Sequence, residues 1–192
     1  CEEGYKGYNT DMPGLKRAME NDGVVIAGGN FYLIGAGGVA RAVLLMLLEN
    51  GAKCIHILNR SVDKAGVLAE ALTSGYQTKV TYGDLQSYKE VALSNATAIQ
   101  ATNVGMYPNV DAAAIDDLDF YKNIDVAYDF IFNPAVTKFM ALAKACDKKA
   151  YNGLKMLLFQ GIIAYEYWNG VSVTDDAAAK VYDAMLEELL KR

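Results

Sequence analysis

At 192 residues, just over half of them apolar, the chain can bury the core of one large domain, or of one domain with an appendage. A formal charge of −5 and 18 scattered Lys and Arg exclude a nucleic-acid binder, because phosphate contacts need concentrated cations. No unbroken apolar run is long enough to cross a membrane (the longest candidate, 39–48, contains Arg41), and Cys1, Cys54 and Cys146 are isolated, which suggests a reducing, cytoplasmic setting rather than a disulfide framework.

In chain order, GYNTDMPG (7–14) comes first, polar residues between Gly and Pro with one carboxylate, Asp11, ahead of a helical pattern at 12–20. Residues 31–34 form a short apolar run that ends at Gly35 and predicts a strand; 40–48 is helical in composition and stops at Asn50-Gly51. A second strand is expected at 54–58, a second helix at 62–72, and a weaker strand at 80–82. Strands at 98–101 and 126–130 are rich in residues suited to a sheet buried on both faces, and helices follow at 137–146 and 154–168. Near the end, Thr174 can cap a helix whose first turn carries Asp175 and Asp176. Val181, Met185 and Leu189, with Tyr182 and Leu186, give that helix an apolar stripe. The stripe must cover either this same sheet or a domain outside the chain. Strands alternating with helices predict an α/β fold, a Rossmann-like doubly wound parallel sheet flanked by helices.

The most informative stretch is LIGAGGVARAV, which places Gly35-Ala36-Gly37-Gly38-Val39-Ala40 after a strand and at the start of a helix. Gly35 allows the tight turn, Gly37 lets backbone approach a pyrophosphate, and Ala40 stands where a third glycine would let helix and strand pack closely. Exposed amides at the helix N-terminus then hold the phosphates, so a dinucleotide is the expected ligand. At the end of the second strand an NAD enzyme usually carries an acid for the ribose hydroxyl. This chain has Asn59, Arg60, Ser61 and, one turn on, Lys64. An Arg can bind a 2′-phosphate bidentately, so NADP is favoured, with Asp63 diluting the local charge slightly. His56 alternates with Ile55 and Ile57 and is expected to be structural; no metal site is expected.

Six segments together resemble the shikimate dehydrogenase family: GYNTDMPG is similar to its NTDxxG segment, GAGGVARAV to its nucleotide loop and NRS to its phosphate-reading tip. ATNVGMYPN resembles its NATSxGM loop, DFIFNPAVTKFMALAKA its DxxYxPxxT segment, and NGLKMLLFQGIIAYEYWNG its GxxMLxxQGxxAFxxWTG stretch. The resemblance implies reversible NADPH-dependent reduction of 3-dehydroshikimate to shikimate, as in aromatic amino acid biosynthesis, in a cytoplasmic enzyme whose cofactor and substrate domains face each other across a cleft. It further implies that Asp11 is the carboxylate of a catalytic Lys–Asp pair, with Asn9 and Thr10 shaping its loop and Gln160 bonding substrate. By the same likeness Gly153 neighbours the nicotinamide amide and Met156 packs on the ring. Thr102 and Gly105 belong to a loop lining the cofactor, and Phe130 joins that lining.

Three departures bear on these expectations. The family's catalytic Lys, its Ser-rich loop and an Asn all lie before the NTD segment, and Lys6 is too close to Asp11 to be that Lys. The chain is therefore expected to be a fragment that binds NADP without turnover. Phe132 stands where the family has Tyr, removing a hydroxyl from the expected substrate contacts, and Gln100-Ala-Thr-Asn103 replaces Asn-Ala-Thr-Ser. Quinate or another cyclic polyol, or a non-catalytic NADP-binding domain, stays open as an alternative, and so does a homodimer. The resemblance divides the chain into 1–22, the end of a substrate domain and a linking helix; 23–172, the NADP-binding domain; and 173–192, a helix packing toward a domain outside this chain.

Overall fold

The computed structural model describes residues 4–191, so Cys1 lies outside the described residues. Its elements run α1 (Asp11–Asn21), β1 (Asn30–Ile34), α2 (Gly38–Glu49), β2 (Cys54–Leu58), α3 (Val62–Leu72), β3 (Lys79–Gly83) and β4 (Ala96–Gln100). They continue α4 (Leu118–Lys122), β5 (Ile124–Asp129), α5 (Lys138–Ala145), β6 (Lys149–Tyr151), α6 (Leu154–Asn169) and α7 (Asp175–Leu190). A single 3-10 turn at Ser87–Lys89 precedes β4. Each element expected from periodicity is present, with β4 and β5 beginning two residues earlier than the apolar runs suggest. α4 and β6 were not anticipated. Five and three residues are too few to show a period, and β6 (Lys-Ala-Tyr) is an edge strand with an exposed Lys149.

All six strands are parallel and lie in the order β3-β2-β1-β4-β5-β6. The chain winds outward from β1 to β3, returns to pair β4 against the other edge of β1, and winds outward again. The loops after β1 and β4 therefore diverge and leave a crevice at the carboxyl ends of these strands. Alternation along β1 sorts the core into two layers. Phe31 and Leu33 join residues of α1, α2, α3 and α6, while Tyr32 and Ile34 join Tyr88, Phe120, Tyr121 and Phe139 on the opposite face. His56 is buried in β2, its ring nitrogens bonded to Thr81 Oγ1 (2.8 Å) and Ser87 Oγ (2.9 Å), which matches the structural role expected of it.

The two terminal segments pack on this same body. α1 buries Leu15, Ala18 and Met19 and runs antiparallel to α6: Tyr8 meets Tyr167 at 4.7 Å between ring centroids, and at the other end Lys155 donates to Asn21. The helices touch most closely at Gly14, where a Cβ would come 2.7 Å from the Gln160 nitrogen. Arg17 joins three segments, pairing with Glu166 (3.2 Å), donating to the Val173 carbonyl, and lying over the Phe159 ring. Thr174 caps α7 through the Ala177 amide, as its sequence suggests. The α7 stripe packs in part on this same body, with Tyr182 and Met185 against the core layer that holds Tyr128. The helix lies on α6, burying Ala178, while Val181, Met185 and Leu189 face a shallow apolar groove shared with Leu157 and Phe132.

Candidate functional site

The crevice at the β1–β4 switch is a cleft of about 920 Å³. Its floor is the turn from β1 into α2. Gly35 adopts φ +116°, a left-handed conformation that costs an L side chain, and a Cβ there would lie 2.9 Å from both the Ala101 carbonyl oxygen and Thr102 Cγ2. A glycine is thus required by conformation and by contact at once. Gly37 is the N-cap of α2 and lacks a side-chain cap bond; Gly38 is its first residue, and a Cβ on either would meet no protein atom within 4 Å. Both line the cleft with Ala36 and Val39. The first amides of α2, which have no acceptors within the helix, therefore open onto free space at the positive end of the helix dipole. Ala40 is fully buried against the sheet, as the third position of the motif requires.

A second wall is the β2–α3 turn. The Asn59 amide donates to the Gly83 carbonyl, and its side chain donates to the Ser61 carbonyl at 2.8 Å, which shapes the turn. Arg60 and Lys64 stand one helical turn apart and exposed on the cleft. Among the described residues neither is held by an ion pair or a hydrogen bond. Asp63 lies outside the lining.

The loops after β4 and β5 close the other sides. Thr102 lines the first, with Asn103, Met106 and Tyr107, and its Oγ1 accepts from the Val104 amide. Phe130 and Phe132 line the second, with Ile131 and Asn133. Phe132 is 39 % exposed and stands between the cleft and the α6–α7 groove, so its ring forms a wall without a polar group. Sequence reasoning missed Asn103, Met106, Tyr107, Ile131 and Asn133 as lining residues, although all five lie on segments singled out there. The reason is that loop residues carry no periodicity from which their direction can be read.

Beneath these two loops lies a buried polar cluster. Asp129 and Gln100 are fully buried neighbours in register, and Thr137 is 1 % exposed. Asp129 Oδ1 accepts from the Ile131 amide (3.0 Å), and its Oδ2 accepts from Thr137 Oγ1 (2.6 Å) and Gln100 Nε2 (3.0 Å). Burial pushes the Asp129 carboxyl up to about 6, against the opposing pull of those donors.

Several expected site residues lie elsewhere. Gly105, at φ +94°, is buried outside the cleft lining, where a Cβ would approach the Ala112 carbonyl at 3.0 Å and Thr137 at 3.7 Å. Gly153 is also outside the lining. A Cβ there would collide with the Phe130 carbonyl, so this glycine lets the turn into α6 press against the cleft wall from behind. Met156 is half-buried and packs toward the core rather than into the cleft.

Asn9, Thr10, Asp11 and Gln160 form a separate group on the α1–α6 flank. Asn9 Oδ1 caps the Met12 amide (3.1 Å), while Thr10 holds the N-cap position without a side-chain bond. Asp11 is exposed in the first turn of α1, favourably placed for the helix dipole. The contact at Gly14 brings Gln160 against α1 within a turn of Asp11. Gln160 is half-buried rather than enclosed, and its amide donates to the Leu157 carbonyl one turn back (3.0 Å). A partly exposed amide bonded to its own helix carries no burial cost that a dedicated partner would have to offset.

Strand order, switch-point cleft and glycine turn define a Rossmann-like α/β domain with its binding surface at the carboxyl edge of the sheet. Residues 18–107 match the family model described as shikimate / quinate 5-dehydrogenase. The shikimate dehydrogenase (NADP(+)) of Clostridium perfringens (strain 13 / Type A) is 35% identical over 179 residues, covering 93% of this chain and 63% of its own length. A chorismate mutase/shikimate 5-dehydrogenase fusion protein from Clostridium acetobutylicum superposes with a TM-score of 0.83 at 30% identity, over 97% of this chain and 65% of that one. Shikimate 5-dehydrogenase from Listeria monocytogenes, solved in complex with shikimate and NAD, has a TM-score of 0.80 at 29% identity, over 91% and 63% of the two chains. The chain is similar to members of the shikimate/quinate dehydrogenase family over most of its length, and it spans a little under two thirds of the length of these relatives.

Proposed function

We propose that this chain binds NADP(H) and presents it for the reversible reduction of 3-dehydroshikimate to shikimate. One observation carries the reading: a side-chain-free helix N-terminus and two unpaired cations, Arg60 and Lys64, converge on a single cleft. The cleft fits the dinucleotide at two separate points. Gly37 and Gly38 leave open the space a pyrophosphate would fill, and the amides of α2 stand ready to donate to it. Arg60, Ser61 and Lys64 would hold the 2′-phosphate, with no carboxylate among the residues lining that wall. This matters because the names of the relatives include both an NADP enzyme and an NAD complex.

When bound, the cofactor supplies the hydride. Thr102 and Phe130, with the loops they stand on, would bound its nicotinamide half, and Gly153 acts only through Phe130, by permitting that wall to sit where it does. On the flank, Asp11 and Gln160 are the groups offered to substrate. An exposed carboxylate beside a lysine would fix that ammonium and bring it to the proton it transfers. We place the reaction in the cytoplasm, in keeping with the free thiols of Cys54 and Cys146. A related cyclic polyol, such as quinate, is the second reading, favoured by Phe132, which offers a ring where a hydroxyl would have marked the substrate.

Fluorescence titration with NADPH and with NADH tests the cofactor reading. Arg60→Ala should weaken NADPH by about tenfold to a hundredfold, the worth of charge-assisted hydrogen bonds to one phosphate, and leave NADH nearly unchanged. An equal loss for both cofactors would overturn the 2′-phosphate assignment.

A further inference from the structure

The two loops that wall the cleft are joined underneath by one carboxylate. Gln100 Nε2 donates both to Asp129 Oδ2 (3.0 Å) and to the Val104 carbonyl (3.1 Å), which lies in the loop after β4. Asp129 Oδ1 accepts from the Ile131 amide in the loop after β5. Thr137 donates to Asp129 from the far end of that loop, and the same hydroxyl accepts from the Met140 amide to cap α5. Gly105 rests against Thr137, so the first loop touches the cluster twice. None of the three side chains reaches the cleft, yet the segments they hold, 102–107 and 130–133, supply two of its walls.

We propose that Gln100, Asp129 and Thr137 are positioning residues for the cofactor cleft, a buried clamp that sets the spacing between its β4 and β5 walls. The proposal rests on the cofactor reading above. A carboxylate taken wholly out of water is costly unless its lone pairs are filled, and here three donors fill them. Their positions are therefore mutually dependent: moving either loop uncovers part of the charge. Simple packing would hold each loop by its own contacts; a shared acceptor makes them move together. Gln100 also explains a departure in the sequence, because Asn in its place, one methylene shorter, would not span to both the Val104 carbonyl and Asp129 from the same backbone position.

The test uses Thr137→Val, which keeps the shape and the contact with Gly105 but removes the hydroxyl, and Thr137→Ser, which keeps the hydroxyl. NADPH affinity should fall about tenfold in Thr137→Val, one hydrogen bond to a buried charge, and stay within about twofold of wild type in Thr137→Ser. Hydrogen exchange should quicken across Val104–Met106 as well as Ile131–Asn133 in Thr137→Val, although only the second segment shares a loop with the substituted residue. Unchanged affinity in a folded Thr137→Val, or faster exchange confined to 130–137, overturns the clamp. Should Thr137→Val fail to fold, Gln100→Met, which keeps the length and loses the amide, decides by the same two measurements, with exchange at Ile131–Asn133 as the distant readout. If wild-type protein itself shows no saturable NADPH binding, the cofactor reading fails instead, and the exchange experiment still judges the clamp.

Discussion

At the carboxyl edge of the sheet, Gly37, Gly38, Arg60 and Lys64 stand unencumbered around one open cleft. On the α1–α6 flank, Asp11 and Gln160 sit on two packed helical turns outside it, one exposed and the other bonded to its own helix. The first region is assembled from consecutive residues: strand, turn and helix N-terminus carry the geometry with them wherever the fold places them. The second depends on a contact between segments almost 150 residues apart, made close by Gly14 against Gln160. A locally encoded site is complete as soon as the sheet forms, whereas one made by helix–helix contact offers isolated groups that acquire a role only from what lies against them.

Substitutions can break this contrast at either region. The largest effect is expected at Gly35, where Gly35→Val adds backbone strain at φ +116° and drives a side chain into the Ala101 carbonyl. Urea unfolding should show a loss of about 2–5 kcal/mol. A loss under 1 kcal/mol would mean that the turn relaxes and that the local geometry is not fixed by the glycine. Next comes Gly37→Asp, two residues away and opposite in kind. Aspartate is a good N-cap and the position is extended (φ −89°, ψ −169°), so stability should hold or rise by a few tenths of a kcal/mol. NADPH affinity should nevertheless fall by about a hundredfold, because the new carboxylate occupies the phosphate cradle and repels its ligand. Unaltered binding there would move the phosphates away from α2. The smallest effect is expected on the flank. Asp11→Asn should leave NADPH affinity unchanged and alter stability by about 0.5 kcal/mol or less, the worth of an exposed acid in a first helical turn. A marked loss of cofactor binding in that variant would join the two regions into one site and erase the distinction.

How much of this was readable beforehand follows the same division. The glycine turn, the free Arg60 and Lys64, and the absence of an acid after β2 were visible because the motif ties residue type to a backbone conformation that neighbouring residues determine. The strands were visible because a sheet buried on both faces demands continuous apolar runs. Asn103, Met106, Tyr107, Ile131 and Asn133 were not, since a loop side chain points where its supports send it, and those supports lie on other strands. Gly105 and Gly153, expected beside the cofactor, lie outside the cleft lining, where each spares a carbonyl from collision.

The sequence alone therefore settled the parallel α/β architecture and pointed to the segments that line the cleft, both consequences of short-range constraints repeated along the chain. Tertiary structure alone decided that α7 rests on α6, that Phe132 divides the cleft from the α6–α7 groove, and that Asp129 joins the two cleft walls. The physical reason is common to all three. Gln100, Asp129 and Thr137 are unremarkable polar residues until strand pairing aligns two of them and a loop brings back the third, eight positions on, and only in the folded, water-free interior does sharing one carboxylate hold two loops in place.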